Sequence, residues 1–123
     1  MRSARLAVVL DVCCVLVFVI IGRASHGEGP AGIASTAWPF LAGLAGGWLV
    51  TAGLAGRAWR PFRLWPAGVG AWLGAVVLGM LLRVVSGQGT APAFIVVALA
   101  FLGLCLLGWR LLAQAVTRSR ARS

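Results

Sequence analysis

Charged residues are sparse along this chain, and the apolar stretches between them are the length of a bilayer crossing. A hydrocarbon core of about 30 Å takes about 20 mostly apolar residues as a helix, with a range of about 17–25. Four stretches qualify. The first, Leu6–Gly22, contains a single charge, Asp11. The second lies within the uncharged run Gly29–Gly56, near Ser35–Leu54, and the third within Leu64–Leu82, starting just after Pro66. The fourth lies within Val84–Trp109 and extends to Ala113. The pattern predicts an all-α, four-helix transmembrane bundle, with helices at about 6–22, 35–54, 67–85 and 91–113. These form one membrane domain over residues 1–116, followed by a basic, disordered tail at 117–123.

The first segment also has the outline of a signal peptide, with a basic start and an apolar core. Asp11 interrupts that core and no small-x-small cleavage site follows Gly22, so a retained helix is expected.

Composition supports lipid as the solvent. Hydrophobic residues make up 61% of the 123 residues, charged residues only 11%, and the mean hydropathy is +0.99. A soluble domain carries about 25% charged residues, and this chain has too few to cover a soluble globule. The net charge of +9 would suit a nucleic-acid partner, but the arginines sit between and beyond the apolar runs rather than on one amphipathic face. No nucleic-acid partner is expected.

The same arginines predict orientation. With the N-terminus inside, Arg2, Arg5, Arg57, Arg60, Arg63, Arg110, Arg118, Arg120 and Arg122 are cytoplasmic, while Arg23 and Arg83 are outside: nine against two. Basic loops resist translocation, so both termini are expected in the cytoplasm. The chain has no Lys, Tyr or Asn, residues with AT-rich codons, which points to a GC-rich bacterial genome and hence to the bacterial inner membrane. The Arg57–Trp65 loop is expected to lie on anionic lipid headgroups. Trp38, Trp59, Trp65 and Trp109 fall near helix ends, where amphipathic rings favour the interface.

Several residues bear on packing. Gly43 and Gly47, and likewise Gly70 and Gly74, stand four apart, a spacing that lets helix backbones approach closely. Four short helices enclose little interior, so a homo-oligomer or a larger membrane complex is expected. Cys13, Cys14 and Cys105 all lie in apolar runs and are expected to pack as small hydrophobes.

Two polar features stand out. One is a repeated block: Arg23 is followed three residues on by Gly27-Glu28-Gly29, and Arg83 by Gly87-Gln88-Gly89. Thr36-Ala37-Trp38-Pro39-Phe40 then parallels Thr90-Ala91-Pro92-Ala93-Phe94. Two hairpins of the same orientation make a parallel repeat. Its turns could bring Arg23, His26, Glu28, Arg83 and Gln88 into one outer-face cluster. That cluster could be a binding site or pore mouth for an anion; equally, it could be two capped hairpins with arginines anchored at the headgroups. The other feature is Asp11, roughly 9 Å inside the first helix. It is either a proton or cation site, or half of a structural ion pair with Arg110 or a loop arginine at similar depth.

Other chemistry is thin. His26-x-Glu28 falls far short of a metal site, no Ser or Cys has a base and orienting partner, and no phosphate-binding Gly-Lys-Ser/Thr loop exists. No metal, cofactor or catalytic residue is expected.

The chain resembles the bacterial membrane-protein family catalogued as domain of unknown function 3054. The resemblance runs from about Leu6 to Leu112 and rests on Asp11, on Gly22-Arg23 with Ser25 to Gly29, on Thr36 to Phe40, and on Leu82-Arg83 with Ser86 to Thr90. It implies the architecture and no activity. Small multidrug transporters and dual-topology fluoride channels share the size and helix count. The first-helix acid of the transporters is Glu and their aromatic pattern is missing here, while the channels' Asn and Phe-rich motifs are absent. The expected role is a non-enzymatic structural or accessory subunit. The alternatives are a small transporter or channel subunit with an outer Arg/Glu site, and an intramembrane enzyme.

Overall fold

The computed structural model describes residues 4–25, 27 and 30–122. Helix α1 spans Ala4–Ser25, α2 spans Ile33–Ala55, α3 spans Leu64–Val85 and α4 spans Pro92–Arg122. Each contains a stretch long and apolar enough to cross a bilayer, and no strand occurs among the described residues. The chain is an all-α, four-helix, multi-pass integral membrane protein.

Both ends of the bundle are tied by contacts between helix termini. At one end, the start of α1 meets the ends of α2 and α4 and the α2–α3 connection, through bonds from Trp48, Trp109 and Arg110 to Asp11 and from Arg110 to Pro61. At the other end, Arg23 reaches Thr36 and Gln88 reaches Ser35. Neighbouring helices therefore run antiparallel.

Between the two ends the core is apolar. Val15, Val19, Phe40, Leu44, Leu102 and Leu106 are buried, and Phe18 sits among three other phenylalanines. Its ring lies 5.4 Å from Phe40, 6.0 Å from Phe94 and 5.5 Å from Phe101. Such aromatic pairs add attraction beyond simple area burial. The outward faces carry large apolar side chains, with Leu54 84% exposed and Leu104 79% exposed, as a lipid-facing surface requires.

The closest backbone approach is between α2 and α3. A Cβ built on Gly74 would stand 2.6 Å from the Gly43 carbonyl oxygen and 2.7 Å from Gly47 Cα, and Cβ atoms on Gly43 and Gly47 would collide with the Gly74 and Gly70 carbonyls. All four glycines are thus spent within the chain, on one interface. Helix α3 is not a plain α-helix. Two α-helical stretches, Val69–Leu73 and Gly79–Val85, follow π-helical turns at Leu64–Gly68 and Gly74–Leu78. Trp65 itself is extended, at φ −118° and ψ 133°, so regular helix begins after it.

Helix α4 departs from the expectation of a helix ending near 113 and a disordered tail from 117. It continues through Arg122 for 31 residues, or about 46 Å. Nothing in Leu112–Thr117 breaks a helix, since Ala and Gln are good formers and neither Gly nor Pro intervenes. The apolar span ends where the bilayer would, but the helix does not.

Candidate functional site: a sealed ion pair and an arginine-lined cavity

Asp11 is fully buried and its carboxylate accepts four hydrogen bonds. Arg110 donates from Nη1 to Oδ1 and from Nη2 to Oδ2, each at 2.8 Å. The Trp109 indole donates to Oδ1 and the Trp48 indole to Oδ2, also at 2.8 Å. Paired N–H bonds of this kind match the planar guanidinium to the planar carboxylate. Arg110 is equally satisfied. Its Nε donates to the Pro61 carbonyl at 2.9 Å, its Nη1 also reaches the Leu106 carbonyl at 3.0 Å, and its guanidinium lies 4.4 Å over the Trp109 ring. Its Cδ rests against Gly68, where any side chain would intrude. The knot joins α1, α2, α4 and the α2–α3 connection around one neutral pair.

This geometry places Asp11 beside Arg110 rather than beside a loop arginine. The two indoles were not evident from sequence. Trp109 was expected at the headgroups, as was Trp59, which instead turns inward to donate to the Thr51 hydroxyl at 3.0 Å. Depth alone could have suggested Trp109 and Trp48, but not their rotation toward Asp11. One turn deeper, the Cys14 and Cys105 sulfurs stand 2.6 Å apart across α1 and α4. Cys13 faces outward.

At the opposite end of the bundle, Arg23, Arg83 and Gln88 line one cavity of about 720 Å³, together with Thr36, Gly89 and the apolar Phe18, Val19, Phe94 and Val97. His26 and Glu28 lie outside the described residues. The two sequence blocks are used differently. Arg23 Nη1 crosses to the Thr36 hydroxyl at 3.0 Å, bridging α1 and α2. Arg83 bonds within its own turn, from Nε to the Gly89 carbonyl at 2.8 Å and from Nη1 to Gln88 Oε1 at 2.9 Å, and it lies 4.7 Å over the Phe94 ring. Gly87, at φ +81°, lets that turn close. Gln88 in turn donates to the Ser35 carbonyl at 3.1 Å, fastening the α3–α4 turn to α2.

A second cavity, of about 950 Å³, opens at the end that carries the termini. Arg60, Arg63, Arg118, Arg120, Phe62 and Trp65 are among its lining residues. The continuation of α4 supplies its far wall. Among the described residues, no cluster of His, Cys, Asp and Glu could hold a metal ion, and no buried side-chain N or O lacks a hydrogen-bond partner.

No curated protein and no solved structure matches this chain. Residues 8–113 match the model of the family described as "Protein of unknown function (DUF3054)". That match covers Asp11, Arg110 and both arginine-bearing turns, and with it the chain belongs to the DUF3054 family.

Proposed function

We propose that this protein is a non-enzymatic structural or accessory component of the bacterial inner membrane, fixed with both termini in the cytoplasm and acting in a homo-oligomer or larger complex. The observation that carries this reading is the state of Asp11. Every donor facing it is engaged, both members of the pair are fully buried, and Val15, Phe18, Val19, Phe40, Leu102 and Leu106 fill the layers between it and the cavity at the other end. A transport acid must exchange protons or ions with water. A fully bonded pair of no net charge, buried under an apolar core, is poorly placed to do so.

The nine-to-two division of arginines supports the orientation. The cavity at the termini end supports a seat on anionic headgroups, because four arginines line it and an exposed Trp65 stands beside them. The test is reconstitution of the purified protein in liposomes carrying a pH-sensitive dye. Passive proton and anion permeability should equal that of empty vesicles. A permeability that rises with protein content and disappears on Arg83→Gln would replace this reading with a channel or transporter. A reporter active only outside the cytoplasm, fused after Arg60, should stay silent.

A further inference from the structure

We infer that the cavity framed by Arg23 and Arg83 is a binding site for an amphiphilic anion: a carboxylate or phosphate ester joined to an apolar chain. Its volume of about 720 Å³ lies in the range of small-molecule sites, about 300–1,000 Å³.

Charge comes first. The whole chain has two acids. Asp11 is committed to Arg110 at the far end of the bundle, which leaves Glu28 as the one acid able to neutralise a guanidinium here. Two guanidinium groups line the cavity. Whatever Glu28 does, one positive charge remains in excess.

The arginines are also held in place. Arg83 is clamped by Gln88, by the Gly89 carbonyl and by the Phe94 ring, yet these bonds engage only two of its five N–H donors. Arg23 is steered by Thr36, and its guanidinium packs on Gly32, where even a methyl group would collide with it. Donors fixed before the ligand arrives reduce the entropy lost on binding.

The apolar half of the ligand is read from the other walls. Below the arginines the cavity is bounded by Phe18, Val19, Phe94 and Val97. Val97 is 54% exposed, so the rim on α4 opens sideways to lipid rather than only upward to water. A small inorganic anion would use the guanidinium groups and leave this apolar floor empty. A chain-bearing anion occupies both. The site does not depend on whether the bundle conducts, nor on which leaflet this end occupies.

The test uses the full-length protein in nanodiscs of zwitterionic lipid, with nitroxide-labelled dodecanoate as the probe and its motionally restricted fraction as the readout. Wild type should retain the probe, unlabelled dodecyl phosphate should displace it, and dodecanol and inorganic phosphate should not. Arg83→Gln should weaken retention at least about tenfold, and the remote Arg57→Gln should leave it intact. Arg83→Lys keeps the charge and should restore part of the binding, which separates a direct contact from a packing defect. Equal displacement by inorganic phosphate would overturn the amphiphile assignment, and equal displacement by dodecanol would overturn the role of charge. Retention unaffected by Arg83→Gln would overturn the location.

Discussion

Asp11 and Arg110 are separated by 99 residues of chain, and they meet through two parallel 2.8 Å hydrogen bonds with no exposure of either side chain. Charges removed from water in this way are tolerated only when paired and fully hydrogen-bonded. The pair ties the first helix to the fourth, and the Trp48 indole brings in the second.

Breaking one side of the pair should be far worse than removing both. Asp11→Asn or Arg110→Gln leaves a buried partner uncompensated, with an expected loss of about 3–5 kcal/mol. The double variant Asp11→Leu/Arg110→Met should recover much of it. Unfolding in mixed micelles, followed by tryptophan fluorescence, measures all three. Single variants as stable as wild type would show that the pair contributes little.

The indoles should each matter less. Trp48→Phe and Trp109→Phe each remove one donor to a charged acceptor, worth about 1.5–3 kcal/mol. Trp38→Phe, on a half-exposed ring at the other end of α2, should be nearly silent. The same unfolding assay, read by circular dichroism, compares the three. Equal losses from Trp38 and Trp48 would deny Asp11 its special partners.

At the α2–α3 interface even a methyl group should be felt. Gly47→Ala or Gly74→Ala pushes a Cβ into a facing backbone, which cannot rotate away as a side chain would. Overpacking of this kind costs about 1–3 kcal/mol. Gly53→Ala, on the same helix with open space around it, should cost nothing and stands as the control. Melting temperatures in detergent decide it, and three indistinguishable curves would place the glycines away from any contact.

Cys14 and Cys105 should join on mild oxidation by a membrane-permeant agent such as copper phenanthroline, since the sulfurs are 2.6 Å apart and a disulfide needs about 2.05 Å. Cys13, on the outer face of α1, should stay a free thiol. Peptide mass mapping of the oxidised protein distinguishes a 14–105 link from any other product.

The number and type of helices were legible because bilayer thickness imposes a length on each apolar run. The depth of Asp11 was legible as well, and it narrowed the partners to arginines at that level. What could not be read was rotation about each helix axis. In a soluble helix the polar face marks the outside. Here lipid and core are both apolar, so nothing in the hydropathy says that Trp48 and Trp109 turn toward Asp11 or that Cys14 faces Cys105. The extent of α4 was hidden for a related reason: the loss of apolar character after Leu112 limits an apolar span, but a polar helix continues through it to Arg122.

The distance in sequence between Asp11 and Arg110 also has a meaning in time. A chain made from its N-terminus delivers α1 to the membrane with a bare acid, at a cost of up to about 3 kcal/mol on insertion scales. Nothing acidic or basic in α2 or in the spanning part of α3 relieves it, and its cation arrives only with the last turns of the last crossing. A chain stopped short of that point keeps a membrane helix marked by an unneutralised carboxylate. A chain that has passed Arg110 does not. Arrival of the fourth helix and removal of that mark are one event, so the ion pair separates chains that hold all four helices from shorter fragments by a difference that any membrane quality-control protease able to sense intramembrane polarity can read.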